Sequence, residues 1–280
     1  MRDVSFGQYY PVKSFVHNMN PALKILFLIA FIVAIFLATN FYGLAACAFV
    51  LLLIIICSRV PVLKILRAIR GVLFLVIFTA VINVLFHGGK EVYWGNHETG
   101  EYFTYGVIQI TQEGIVFSLF LIIRLILLVT CSSLLTYTTS PVALTDGIEA
   151  LLTPLKWIRF PVHELALIMS IALRFIPILM DETERIKNAQ KARGADMEKG
   201  GLIKRAKAFI PILVPLLLSA FRRADELGDA MDARCYTGGK MRTKYKKLRL
   251  TWRDLIGFLV GAALVTGVVL LRVYLGPLPL

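Results

Sequence analysis

Apolar runs separated by short polar breaks dominate the first half of the chain, and one more run lies near its end. The runs cover residues 23–38, 43–57, 71–86, 115–135 and 255–271. Runs of this length and composition are typical of transmembrane helices. The break at Thr39-Asn40 is so short that it predicts a hairpin of two spans. The pattern therefore predicts an all-α integral membrane protein with about five transmembrane helices.

Two long segments between the fourth and fifth runs follow a different pattern. Residues 163–190 and 204–234 each begin with an apolar half and continue into a charged half. Their apolar halves are shorter than the roughly 20 residues that a spanning helix needs. Because proline removes a backbone donor and crowds the preceding turn, Pro177, Pro211 and Pro215 predict bends. We expect long, kinked helices on the cytoplasmic side of the membrane.

These two segments resemble copies of one degenerate repeat. Phe-Ile-Pro-Ile-Leu occurs at residues 175–179 and again at 209–213, and an Ala-Arg pair follows each copy. Arg193 lies 18 residues after Phe175, and Arg234 lies 25 residues after Phe209. The difference is close to two helical turns, so both arginines keep a similar helical phase. The alternative is that two Ala-Arg pairs in a basic protein are a coincidence.

The domain organisation follows from these patterns. We predict an N-terminal bundle of four spans over residues 1–140, a cytoplasmic-side region with the two repeat helices over 141–253, and a C-terminal transmembrane helix over 254–280.

Charge adds an orientation to this picture. The net charge is +13, and 58% of the residues are hydrophobic. In a membrane protein an excess of Lys and Arg is typical of cytoplasmic loops, and nothing here resembles a nucleic-acid-binding module. The loop with Arg59, Lys64, Arg67 and Arg70 is therefore predicted inside, which places the N-terminus inside and the C-terminus outside. Lys24, near the start of the first run, is expected to reach the lipid headgroups.

Arg124 is a charge near the middle of the fourth span. Such a residue is a candidate functional site, because a charge in the bilayer is costly. We favour a structural role, in which Arg124 satisfies a buried carbonyl or a polar side chain such as Asn83.

Motifs that would let the chain bind nucleotide phosphates or catalyse a reaction by itself are missing from the sequence. Gly238-Gly239-Lys240 lacks the upstream glycine and the Ser or Thr of a phosphate-binding loop, and no HExxH or GxSxG motif occurs. The first four spans carry no Asp or Glu between their ends, whereas a proton-coupled carrier is expected to carry such acids. The pattern favours an externally driven component that is not an enzyme. A self-sufficient secondary transporter or a membrane-embedded enzyme is the alternative.

Several stretches resemble the transmembrane T component of energy-coupling factor (ECF) transporters, the EcfT family. They are the entry at residues 17–24, Ile171–Pro177, the run at 189–194, and Ala233-Arg234. In that family each of two coupling helices presents an arginine-centred triplet to an ABC-type ATPase. The resemblance implies that the triplets here are Ala192-Arg193-Gly194 and Ala233-Arg234-Cys235. Gly194 is expected to form a left-handed helix cap. Cys235 replaces the glycine that is frequent in the family.

The resemblance also implies a function and its partners. Two ABC-type ATPases, EcfA and EcfA', would hold ATP and magnesium, while this chain binds no cofactor or metal of its own. A separate substrate-binding membrane protein, the S component, would dock on the apolar halves of the coupling helices. Candidate contact or hinge residues there are small residues and prolines: Ser170, Ala172, Pro177, Pro211, Pro215, Ser219 and Ala220. The chain would then serve a vitamin or micronutrient importer in a prokaryotic cell membrane.

Overall fold

Helices account for most of the computed structural model. It describes residues 9–12, 14–86, 101–105, 108–158, 160–194, 201–236, 238 and 251–275. Eight α-helices lie in this part of the chain: α1 (Pro21–Leu37), α2 (Phe41–Ser58), α3 (Val62–Phe86), α4 (Gln112–Thr138), α5 (Pro141–Leu152), α6 (Val162–Ala192), α7 (Leu202–Asp232) and α8 (Trp252–Leu275). A short 3-10 segment, Thr153–Ile158, follows α5. The predicted all-α class is confirmed.

The described residues form two compact units. Those of 7–148 and 248–280 form the first unit, which holds α1 to α4 and α8. Those of 149–247 form the second unit, which holds α6 and α7. The boundary between the two falls within α5.

One buried carboxylate caps two helices of the first unit. Asp254 is only 1% exposed. Its Oδ1 accepts a hydrogen bond from the backbone N–H of Asn20 at 2.7 Å, and its Oδ2 accepts one from the N–H of Thr251 at 2.7 Å. Asn20 precedes α1 and caps Ala22 with its own side chain, as predicted, and Thr251 precedes α8. Asp254 therefore satisfies donors at the start of both helices, where negative charge is favoured.

Lys24 is buried, so the expectation that it reaches the headgroups was wrong. Its Nζ donates to the carbonyls of His17 at 3.1 Å and Thr138 at 3.0 Å, and to Oγ1 of Thr139 at 3.3 Å. Thr138 ends α4, where the last carbonyls lack helical partners and favour a cation. The amine thus donates to three acceptors inside the bundle and does not extend to the headgroups.

The apolar core lies between α1, α2, α4 and α8, while α3 packs mainly on α4. Fully buried side chains in this core include Phe31, Ile35, Leu44, Cys47 and Val268. Many other large apolar residues of these helices are exposed. An apolar outer surface around an apolar core is expected where hydrocarbon, and not water, is the solvent.

In the part of the chain that the structure describes, five helices are long and apolar enough to cross a membrane, which agrees with the predicted number. They are α2, α3, α4, α6 and α8. Four of them, α2, α3, α4 and α8, are predicted spans, and α6 is the fifth; the predicted first span, α1, is a shorter apolar helix of 17 residues. At 17 residues α1 is about 26 Å long, only one residue shorter than α2, and it packs with α2, α4 and α8 around the core. The sequence analysis did not count α6 as a span, whereas the whole helix, at 31 residues, is long and apolar enough to cross a membrane by length and composition.

A short hairpin between α3 and α4 was not predicted. Strands β1 (Glu101–Tyr105) and β2 (Ile108–Thr111) pair in an antiparallel sense. The loop that precedes β1 lies outside the described residues.

Arg124 caps the end of α1. Its Nη2 donates to the carbonyl of Ala38 at 2.8 Å, and its guanidinium lies 4.8 Å from the ring centroid of Phe120. Asn83 instead donates to the carbonyl of Thr79 within α3 at 2.8 Å. Ala38 follows the last residue of α1, so a cation there satisfies a carbonyl that has no helical donor.

We predict that Asp254→Asn lowers the free energy of unfolding by about 2 kcal/mol, because an amide NH2 group would face one of the two N–H donors. Chemical denaturation in detergent micelles measures the change. Asp225→Asn, an exposed position on α7, is the control and should change little. Equal stability of the Asp254 and Asp225 variants would show that the two capping bonds contribute nothing.

We predict that Arg124→Leu lowers the free energy of unfolding by about 2 kcal/mol, because the Ala38 carbonyl loses its donor. Arg124→Lys retains a cation near the end of α1 and should lose less. Thermal unfolding in the same detergent compares the three proteins. A leucine variant as stable as the unsubstituted protein would rule out the capping role.

Candidate functional site

The two repeat helices pack against each other in opposite directions. Nη2 of Arg223 on α7 lies 3.3 Å from Oε2 of Glu182 on α6. Nε2 of Gln190 on α6 donates to the carbonyl of Pro211 on α7, also at 3.3 Å. As the residue number rises along α6, the number of its partner falls along α7. The helices therefore run in an antiparallel sense.

A proline provides the acceptor for one of these contacts. In a regular helix the carbonyl of Pro211 would accept a bond from the N–H four residues later. That residue is Pro215, which has no N–H. The side chain of Gln190 supplies the missing donor. Both α6 and α7 continue as single helices through their prolines, and the proline pair on α7 helps to join it to α6.

The end of α6 has the predicted left-handed glycine. Gly194 has φ of +83°, and its N–H donates to the carbonyl of Lys191 at 3.0 Å. Arg193 directly precedes it, with φ of −81° and ψ of 5°. The turn stops the helix just after the arginine, and Ala192, Arg193 and Gly194 are all exposed.

The end of α7 has the same geometry with a different residue. Cys235 adopts φ of 55°, and its N–H donates to the carbonyl of Asp232 at 2.8 Å. The N–H of Tyr236 donates to the carbonyl of Met231 at 3.1 Å. These two bonds form a Schellman motif, which usually has glycine at the left-handed position. Cysteine occupies it here at a cost of about 1–2 kcal/mol, so the helix ending that the substitution placed in doubt is retained.

Arg193 and Arg234 occupy equivalent positions at opposite ends of the helix pair. Each directly precedes the left-handed residue of its helix, and each is exposed. Gln190, one turn before Arg193, contacts Pro211, and Arg234 lies 23 residues farther along α7. At 1.5 Å per residue this separation is about 35 Å along the helix. One small partner surface cannot contact both arginines.

The predicted small residues and prolines lie along the same two helices. On α6, Ser170 and Pro177 are half-buried and Ala172 is exposed; on α7, Pro211 and Pro215 are exposed, whereas Ser219 and Ala220 are half-buried.

Large apolar side chains cover much of the surface of α7. Those at least 49% exposed are Phe209, Ile210, Leu213, Val214, Leu217, Leu218 and Phe221, whereas Ile212 is buried. On α6 the exposed apolar residues include Ile168, Ile176 and Met180. An apolar area of this extent on one helix marks a surface for lipid or protein.

Comparison with known proteins gives a consistent result. Residues 12–245 match the family model described as CbiQ, cobalt transport protein. The energy-coupling factor transporter transmembrane protein EcfT of Clostridium kluyveri is 45% identical over 276 residues, covering 99% of both chains. EcfT of Ruminiclostridium cellulolyticum is 44% identical over 272 residues, covering 97% of this chain and 98% of that protein. The chain belongs to the EcfT family. It is the transmembrane component of an energy-coupling factor transporter, and not its ATPase.

Two side-chain contacts in the second unit were not predicted from the sequence. The first is the contact of Gln190 with the carbonyl of Pro211. The sequence does signal that this carbonyl lacks a helical donor, because Pro215, four residues later, has no N–H. A second missed contact joins Nδ1 of His163, at the start of α6, to Oε1 of the buried Glu149 at 3.3 Å. The sequence carries no signal for that contact, because the two residues lie on different helices.

We predict that Gly194→Ala destabilises the end of α6 by about 1 kcal/mol, since φ of +83° is unfavourable for a residue with a Cβ atom. Cys235→Gly should stabilise the end of α7 by a similar amount. Hydrogen exchange of the last-turn amides measures both effects. Gly228→Ala, in the interior of α7 with open space around it, should be neutral or stabilising. A slower exchange in Gly194→Ala would contradict the left-handed geometry.

Proposed function

We propose that this chain couples two ABC-type ATPases to a substrate-binding S component in an ATP-driven importer of a vitamin or micronutrient. The observation that carries the proposal is the matched geometry of two exposed helix ends, each with an arginine before a left-handed residue. The triplets Ala192-Arg193-Gly194 and Ala233-Arg234-Cys235 would each dock into one ATPase, EcfA or EcfA'. ATP and magnesium would bind to the ATPases.

The chemistry of arginine supports this docking role. A guanidinium keeps its charge, and its planar fork of donors suits carboxylates and free carbonyls in a partner's groove. The preceding alanines, Ala192 and Ala233, have small side chains that allow close approach. Because the arginines lie at opposite ends of an antiparallel pair, two ATPases fit without competing for one site. Closure of the ATPases on ATP would then move both ends of the pair.

The exposed apolar residues of α6 and α7 support an S-component surface. α7 is not among the helices that are apolar enough to span, yet Phe209, Leu213 and Phe221 are exposed on it. Burying such residues against an apolar membrane protein would remove this surface from contact with water. Small residues such as Ala172 and Ser219 would allow close helix packing. In this arrangement the basic loop after α2 and the N-terminus face the cytoplasm.

The test is charge reversal at both arginines. We expect Arg193→Glu with Arg234→Glu to lower the binding of co-expressed ATPases at least tenfold in a pull-down, while the chain still inserts in the membrane. Each single variant should lose one of the two ATPases. Removing one partner of a charged interfacial contact commonly costs 2–5 kcal/mol, which is consistent with this size.

The matched control reverses two other exposed charges on the same helices, Arg185→Glu on α6 and Arg222→Glu on α7. These changes give the same net charge, and full ATPase binding is expected. Retention of both ATPases by the double variant at 193 and 234 would refute the docking sites. Transport by the purified chain alone would favour the self-sufficient transporter.

A further inference from the structure

A second binding feature lies in the first unit, which contains α1 to α4 and α8. A cavity of about 320 Å³ lies between α1, α2, α4 and α8, beside residues 15–19, which lead into α1. Its wall includes Leu28 of α1, Val50 of α2, Cys131 and Leu134 of α4, and Val260 of α8. Cys131 and Leu134 are buried, at 5% and 4% exposure. The cavity therefore reaches the interior of the bundle.

The amine and the hydroxyl that line the wall, those of Lys24 and Thr138, already have partners. Nζ of Lys24 donates to three acceptors, and Oγ1 of Thr138 donates to the carbonyl of Leu134 at 2.8 Å. A water molecule needs two to four polar partners to be held in a cavity. Cavities without such partners accept apolar guests. The chemistry of the wall selects a hydrocarbon ligand.

The mouth of the cavity opens on the lipid-facing surface. Three apolar residues that line it are more than a third exposed: Leu53 of α2 at 45%, and Ile256 and Val260 of α8 at 39% and 38%. Both helices are long and apolar enough to cross the membrane. The molecules that meet this mouth are therefore the acyl chains of lipids.

The length of the cavity also suits an acyl chain. On α2 the wall extends from Val50 to Cys57, which is about 10 Å along the helix. A single acyl chain is narrow enough to enter a space of this length.

Cations lie at one end of the cavity. The guanidinium of Arg253 lies 5.8 Å from the ring centroid of Phe15, which lines the cavity. Nε of Arg253 is buried and has no hydrogen-bond partner among the described residues. Arg59, two residues after Cys57 of the wall, is exposed. Arg59 directly follows α2 and Arg253 is the second residue of α8, so both lie at an end of a spanning helix, where phosphates of the headgroups are expected.

We propose that this cavity binds one acyl chain of a membrane phospholipid, with the phosphate of that lipid at Arg253. The lipid is a bound component of the bundle, because its chain fills space between four helices. The site belongs to the first unit and does not depend on the proposed ATPase docking.

The test uses a phosphatidylglycerol probe with a diazirine in its acyl chain. The full chain is reconstituted in nanodiscs with the probe, illuminated, digested and analysed by mass spectrometry. We expect adducts on Cys131 or Leu134, which are buried from bulk lipid. Adducts confined to exposed residues such as Phe49 and Leu52 would overturn the proposal.

Three variants test where the labelled chain lies. Val50→Trp narrows the cavity and should reduce labelling of Cys131 and Leu134 at least fivefold; Val50→Phe, a smaller change, should reduce it less. Phe49→Trp, on the exposed face of the same helix, is the matched control and should leave labelling unchanged. Thermal unfolding in detergent confirms that each variant is folded. Unchanged labelling in folded Val50→Trp would refute the site.

A neutral diacylglycerol with the same photoreactive chain tests the headgroup. We expect it to label the buried residues several-fold less than phosphatidylglycerol does, and the difference should disappear in Arg253→Gln. Equal labelling by the two probes in the unsubstituted protein would refute the phosphate contact at Arg253.

Discussion

Helix ends are the points of greatest constraint in this protein, because hydrocarbon offers no partner for free N–H and C=O groups. Asp254 satisfies donors at the starts of α1 and α8, and Lys24 satisfies acceptors at the end of α4. Arg124 does the same at the end of α1. Three charged side chains, each used as a cap, thus fix how the helices of the first unit are placed around their apolar core.

The helix caps of the second unit have a different use. At the end of α6 and of α7 a left-handed residue stops the helix directly after an arginine, and the side chain is left exposed. Gly194 adopts this conformation easily, whereas Cys235 adopts it at a cost. That a residue with a Cβ atom has the same geometry indicates that the surrounding backbone bonds hold the turn. In the proposed function this geometry fixes where each ATPase docks.

The cavity is a consequence of the same capping. Because Lys24 and Thr138 make their hydrogen bonds within the bundle, neither is left to hold water in the space beside them, and the other described residues of the wall are almost all apolar. The walls are apolar, and the mouth between α2 and α8 faces lipid. Because the charged side chains of the bundle cap helix ends, the cavity is lined by apolar groups that suit an acyl chain.

The sequence by itself determined the all-α class, the number of spans, the cap at Asn20 and the left-handed Gly194, because each depends on local pattern and on residues close in the chain. The roles of Lys24, Asp254 and Gln190 were decided by tertiary structure, because their partners lie on other helices. The Thr-x-x-Asp spacing of Thr251 and Asp254 signals a cap for α8. That this same carboxylate also caps α1, 234 residues away in sequence, is visible only in the fold.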